Sequence, residues 1–164
     1  MVSFLHSTLK HFGYLVEEFS YTVKDKRYTA NPLSDGVIEF VSSKTIIEVQ
    51  KDRNAFIVSL KPANEPEVSR MSLPWILEAL NIKKSDSFPG EVAPEGYDKV
   101  LRENAELLRK YCLDIVQGDF SRWLDILQYF VDQSKRGYRS RTGRELPKRV
   151  HQDREDYIKS KSLS

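Results

Sequence analysis

The sequence predicts an α+β fold: an N-terminal helix, an antiparallel β-meander of about four strands, a short helix, then a C-terminal helical hairpin packed on the sheet. Three observations lead there. Between Tyr97 and Arg136, apolar residues recur at steps of three and four on both sides of Gly118, the 3.6-residue period of two amphipathic helices. Between Val37 and Leu60, three short β-rich runs are joined by connections too short for anything but antiparallel pairing. The 164 residues suit one domain with a real core, or one domain plus a tail.

Residues 2–12 read as a short amphipathic helix with Val2, Leu5, Leu9 and Phe12 on one side, closed by Gly13. Tyr14 to Val23 reads as a strand, because Phe19, Tyr21 and Val23 alternate with Ser20 and Thr22. Asp25 to Asp35 holds Asn31-Pro32, ends at Gly36 and reads as a loop. The next three strands are Val37–Val41, Thr45–Gln50 and Ala55–Leu60, with Ile47, Val49, Phe56, Val58 and Leu60 as core positions. Leu73 to Leu80 is a short helix with Ser72 as N-cap and Pro74 in the first turn. Ile82 to Gly96 is long for an ordinary loop and is expected to be mobile or part of a binding surface.

In the first helix of the hairpin, Val100, Leu101, Ala105, Leu108, Tyr111, Cys112, Ile115 and Val116 form one stripe. Asp98 stands in the first turn, where the helix dipole favours a carboxylate, and Gly118 suits a left-handed C′ position. The second helix carries Phe120, Trp123, Leu124, Leu127, Phe130 and Val131, with Asp119 or Ser121 as its cap. Beyond Arg136 the pattern fails, so residues 1–134 form the domain and 135–164 a basic, weakly ordered tail with a helical turn near Val150–Ile158.

With 40% hydrophobic and 30% charged residues, the chain reads as globular rather than disordered. One Cys excludes an intramolecular disulfide framework, and no run approaches a membrane span. A cytoplasmic location away from membranes is the expectation. The net charge of +2 hides an asymmetry. Residues 1–134 carry 16 Lys and Arg against 20 Asp and Glu, and residues 135–164 carry 10 against 4.

No Gly-rich phosphate loop or nucleophile elbow occurs, and His6, His11 and His151 lack metal-ligand spacing. All three read as surface histidines. Cys112 lies in the apolar stripe with no sequence-local base and reads as a buried structural thiol. Asp114, Asp119 and Asp125 approach one another around Gly118, where capping and solvation explain them. Neither an enzyme nor a cofactor is indicated.

Binding remains. Lys135, Arg136, Arg139, Arg141, Arg144, Lys148 and Arg149 cluster with Tyr138, a candidate phosphate-neutralising set for nucleic acid. Glu145, Asp153, Glu155 and Asp156 interrupt it, which fits a solvated tail or one docked on the acidic body. Surface aromatics, Tyr28, Phe88 and Tyr97 among them, are candidate contacts with a protein partner.

Two stretches carry a resemblance: NAELLRKYCLDIVQGDFSRW (Asn104 to Trp123) and FLHSTLKHFGYLVEEF (Phe4 to Phe19). They resemble small uncharacterised bacterial α+β proteins, some of them similar to toxin-immunity proteins. The resemblance spans roughly Met1 to Gln133 and leaves the basic tail outside the pattern. It implies a short helix, an F-G-Y-like turn and a strand at the start. It also implies a non-catalytic, protein-binding function: occluding a toxin without a cofactor. It transfers no functional residue.

Overall fold

The computed structural model describes residues 3–27, 36–142 and 151–164, with side chains described at 3–24, 36–136 and 151–164. The chain is α+β, with helices packed on one face of a five-stranded antiparallel sheet in the order β1-β2-β3-β4-β5. The strands are β1 (Thr22–Arg27), β2 (Gly36–Val41), β3 (Thr45–Asp52), β4 (Ala55–Pro62) and the two-residue β5 (Met71–Ser72). The helices are α1 (Phe4–Phe12), α2 (Tyr14–Phe19), α3 (Leu73–Ala79), α4 (Tyr97–Tyr111), α5 (Leu113–Val116), α6 (Trp123–Thr142) and α7 (Gln152–Ser162).

The sheet explains its own two faces. Side chains alternate along a strand, so Ile38, Phe40, Ile47, Val49, Val58 and Leu60 all point inward and are buried. Their neighbours Glu39, Glu48 and Ser59 fall in one row across the strands on the other face, in register with Ser72. The hairpin turn between β3 and β4 is two residues long, and Arg53 takes the left-handed conformation (φ 54°) that such a turn demands.

The stretch expected as a strand from Tyr14 is instead two elements. Val16 and Glu17 donate their amides to the Gly13 carbonyl, so a second helix follows the first directly. Tertiary contacts override the β propensity of these residues. The Tyr14 hydroxyl donates to the Ala105 carbonyl (3.2 Å), and Arg109 pairs with Glu18 (2.8 Å). Gly13 is right-handed rather than a left-handed terminator; a Cβ there would stand 2.7 Å from the Leu9 carbonyl oxygen. Ser20 (φ 59°) supplies the left-handed stop, and β1 starts only at Thr22.

The hairpin exists as predicted, with one interruption. Cys112 adopts φ −121° and splits the first helix into α4 and α5. The buried carbonyls at the end of α5 find partners just before β1 and on β3: Tyr21 donates to Val116 O (2.6 Å) and Thr45 to Ile115 O (2.9 Å). Orphan carbonyls at a helix end require such donors when buried. Gly118 follows at φ 88°. A Cβ there would also meet Lys44 Cδ at 2.3 Å, so both conformation and space call for glycine. Trp123 then opens α6 with its indole N–H on Ser69 O (3.0 Å), the hydrogen bond a buried indole needs.

Two differences concern the C-terminal third. Helix α6 continues past Arg136 to Thr142. Where sequence suggests a loose tail with one helical turn, Gln152–Ser162 is a helix with Ile158 buried against the core. Among the described residues no helix is long and apolar enough to cross a membrane.

Candidate interaction surface

The second face of the sheet carries an organised charge ladder. Arg70, just before β5, donates through Nε to Glu67 Oε2 (2.7 Å) and through Nη2 to Glu67 Oε1 (3.1 Å). Its Nη1 reaches Ser59 Oγ (3.3 Å) and lies 3.8 Å from Glu48 Oε2. Lys61 donates to the Glu65 carbonyl (2.8 Å) and lies 3.4 Å from Glu67. Glu39 and Glu48 stand directly opposite across β2 and β3, an arrangement that like charges disfavour. The Arg70 guanidinium, 3.8 Å from Glu48, offsets it with its positive charge, while its bidentate fork holds Glu67.

The titration of these groups follows. The Arg70 hydrogen bond holds Glu67 down at about 2; burial opposes it, and the Arg70 and Lys61 charges reinforce it. Burial works against the Arg70 charge, yet the Glu67 hydrogen bond and the Glu48, Glu67 and Glu39 carboxylates raise its pKa. Beside this ladder Ile57 is 39% exposed and Ile46 half-buried. Apolar side chains next to ordered charges make a surface that can be desolvated without stranding a charge.

A second organised region lies at the sheet edge, where α7 packs against α6 and residues 67–69. Arg154 donates to Val68 O (3.1 Å) and Arg70 O (3.3 Å) and stacks 4.6 Å from the centre of the Phe130 ring. Phe130 also meets Trp75 edge-to-face at 4.8 Å and His151 at 6.0 Å. Lys161 donates to Glu65 (2.6 Å), and Lys135 of α6 pairs with Glu155. Burial lowers the pKa of both Arg154 and His151, and it pushes Tyr157 up to about 12 with help from Glu65.

The residues singled out from sequence are distributed as follows. Lys135 is engaged by Glu155, and Arg136 is exposed. Arg139 and Arg141 lie on the last turns of α6. Arg144, Lys148, Arg149 and Tyr28 lie outside the described residues. Phe88 is half-buried beneath Lys83, whose Nζ is 4.3 Å from the ring centre. Tyr97 is a correction: it is 4% exposed, packs edge-on to Phe56 at 4.9 Å and donates to Asn54 Oδ1 (2.5 Å). It belongs to the core because the first turn of α4 points it at β4, and the sheet register brings Asn54 beneath it.

Histidine needs a second correction. His11 is not a surface group; its Nε2 is 2.9 Å from Asp98 Oδ1, with Ser7 Oγ donating to the same oxygen (3.1 Å) and Lys10 at 3.4 Å. Asp98 is therefore a clasp between α1 and α4, held down at about 2 chiefly by the His11 hydrogen bond, which burial opposes and Ser7 and Lys10 reinforce. Asp98 is the hub of this group and Ser7 bonds the carboxylate, so the order needed for a nucleophile relayed through imidazole is not formed. Cys112 is fully buried, and burial pushes its thiol up to about 12. Asp114 pairs with Arg122, and Asp119 accepts the Ser121 amide (2.9 Å), so capping explains both.

Sequence reading missed the ladder and the α7 dock. The ladder was encoded in the alternation of Glu39, Glu48 and Ser59 with core residues, but Arg70 joins them only through β5, too short to show as a pattern. Open clefts of about 260 and 300 Å³ lie beside Ser43 and Leu107, respectively. No family model matches the chain, and no curated protein or solved structure matches it.

Proposed function

We propose that the chain is a non-catalytic protein-binding module of the bacterial immunity type, acting by occlusion of its partner in the cytoplasm. The observation that carries this reading is the second sheet face, where exposed Ile57 borders the Glu48–Arg70–Glu67 ladder. Charges already paired within one protein bring specificity to an interface at a lower desolvation cost than isolated ones. The nucleic-acid reading of the basic segment has less support, because Lys135 is engaged by Glu155.

The test uses purified full-length chain and the proteins encoded on either side of its gene. The reading expects a one-to-one complex with one of them by size-exclusion chromatography. Replacing Ile57 with Arg should weaken that complex at least about tenfold, as expected of a residue central to an interface. Lack of a complex with either neighbour, or full binding by the Ile57→Arg variant, would sink it.

A further inference from the structure

Four residues of α1 and α2 face α4: Ser7 and His11 bond Asp98, Tyr14 donates to Ala105 O, and Glu18 pairs with Arg109. Their spacing of i, i+4, i+7 and i+11 carries one helix face through the right-handed Gly13. Leu5, Leu9, Phe12 and Val16 repeat that spacing two residues earlier, about 200° round the helix, and so lie on the side away from α4. Phe12 rests on Phe40 of β2, ring centres 6.0 Å apart, while Leu5 is half-buried. Leu9 and Val16 are 38% and 41% exposed.

That side overlooks the open edge of the sheet. Phe40 pairs with Val23 of β1, whose side chain is half-buried on the same inner face. In contrast, α4 stands over β4 through Tyr97 on Phe56. Among the described residues β1 pairs with β2 alone, so a row of its N–H and C=O groups faces outward. The far edge differs, because β5 is two residues long and Arg154 of α7 takes the carbonyls of Val68 and Arg70 beside it. A free edge of six residues beside an apolar ledge is the form of site that accepts an added strand.

Charge decides which strand fits. On the outer face the cross-strand row runs Ser59, Glu48, Glu39, Lys24, with Lys24 exposed at the edge. An acidic residue is the neighbour that extends this row favourably. A second copy of the chain does not supply it. Two-fold antiparallel pairing brings together residues of equal parity. Any register joining more than three residues of β1 therefore sets Lys24 against Lys24 or against Lys26, and like charges directly opposite are destabilising. We propose that the β1 edge is a strand-addition site for an extended segment of a partner protein in which apolar and acidic residues alternate. The apolar residues lie on Leu9, Val16 and Val23, and the acidic ones face Lys24. Ile57 lies on β4, two strands removed and on the other face, so this site and the occlusion reading stand or fall separately.

The probe is a fluorescently labelled peptide of alternating Val and Glu, titrated with full-length protein and followed by anisotropy. It should bind at least about tenfold more tightly than a scrambled peptide of the same composition or an alternating Val-Lys peptide. Leu9→Glu, at an exposed position, should weaken binding at least about tenfold. Lys24→Glu should narrow the gap between the Val-Glu and Val-Lys peptides, and Ile57→Arg should change nothing. Methylating the backbone amides of either the Val set or the Glu set removes one row of donors, and at least one of these two peptides should lose binding. Equal binding of the scrambled or Val-Lys peptide, survival of binding through both methylations, or full binding by Leu9→Glu would overturn the proposal. So would an unchanged gap in Lys24→Glu or a matching loss in Ile57→Arg. A dimer in analytical ultracentrifugation that Leu9→Glu dissolves would give the edge to a second copy and overturn it as well.

Discussion

Helices α4 and α7 both present charged residues to solvent, yet they are held by different physics. Helix α4 buries six of its 15 residues, among them Tyr97, Val100, Leu101 and Leu108. Helix α7 buries one of 11, Ile158. Each fully buried aliphatic or aromatic side chain contributes about 1.5–3 kcal/mol, whereas exposed ion pairs such as Lys161–Glu65 contribute about 0–1 kcal/mol each. An isolated helix shorter than about 12–15 residues is marginal in water, so α7 exists by virtue of its dock. One helix is part of the core. The other is fastened to it.

The largest contrast comes from truncating the core side of that comparison. Leu101→Ala should cost about 2–5 kcal/mol of global stability, as cavity formation does in a close-packed interior. Urea unfolding measures it, and a loss under about 1 kcal/mol would mean α4 is not the anchor described. Gly118→Ala should cost about 1–2 kcal/mol from the left-handed backbone alone, plus the collision with Lys44. Pairing it with Lys44→Ala should recover the collision component and leave the backbone component, a separation that a double-mutant cycle reads directly.

The clasp of α1 on α4 is pH-dependent. Asp98 falls from its ordinary 3.8 to about 2 on folding. Its contribution is therefore complete above about pH 4 and disappears as pH falls through 2. In Asp98→Asn the acid-side decline of stability should flatten over that window; an unchanged acid profile would remove the clasp from the picture. The smallest effect belongs to α7. Ile158→Ala should shift the body's unfolding midpoint by less than about 1 kcal/mol, because α7 detaches first and the remainder unfolds as before.

The contrast also marks what was legible in the sequence. Strong periodic patterns are legible: β2, β3 and β4, α3, and the hairpin around Gly118, whose left-handed φ follows from its residue type. Tyr14–Phe19 was not, because Tyr14 and Glu18 form a helix to reach Ala105 and Arg109, far away in sequence. Tyr97 and His11 read as surface groups in the sequence because nothing local reveals Asn54 or Asp98 as their partners. Helix α7 has almost no amphipathic pattern, so its dock on Phe130 and the Val68 and Arg70 carbonyls exists only in three dimensions. The charge asymmetry did not point to it either, since Gln152–Ser162 carries three acidic and three basic residues and the basic excess lies at 135–149.

The distinction between anchored and fastened helices is best tested by native-state hydrogen exchange on the full-length chain. The amides of Gln152–Ser162 should exchange through a local opening, in salt-sensitive fashion, well before those of α4 and β3. Protection in α7 equal to that of the core, and unchanged by salt, would show the C-terminal helix to be integral to the fold and would contradict the distinction.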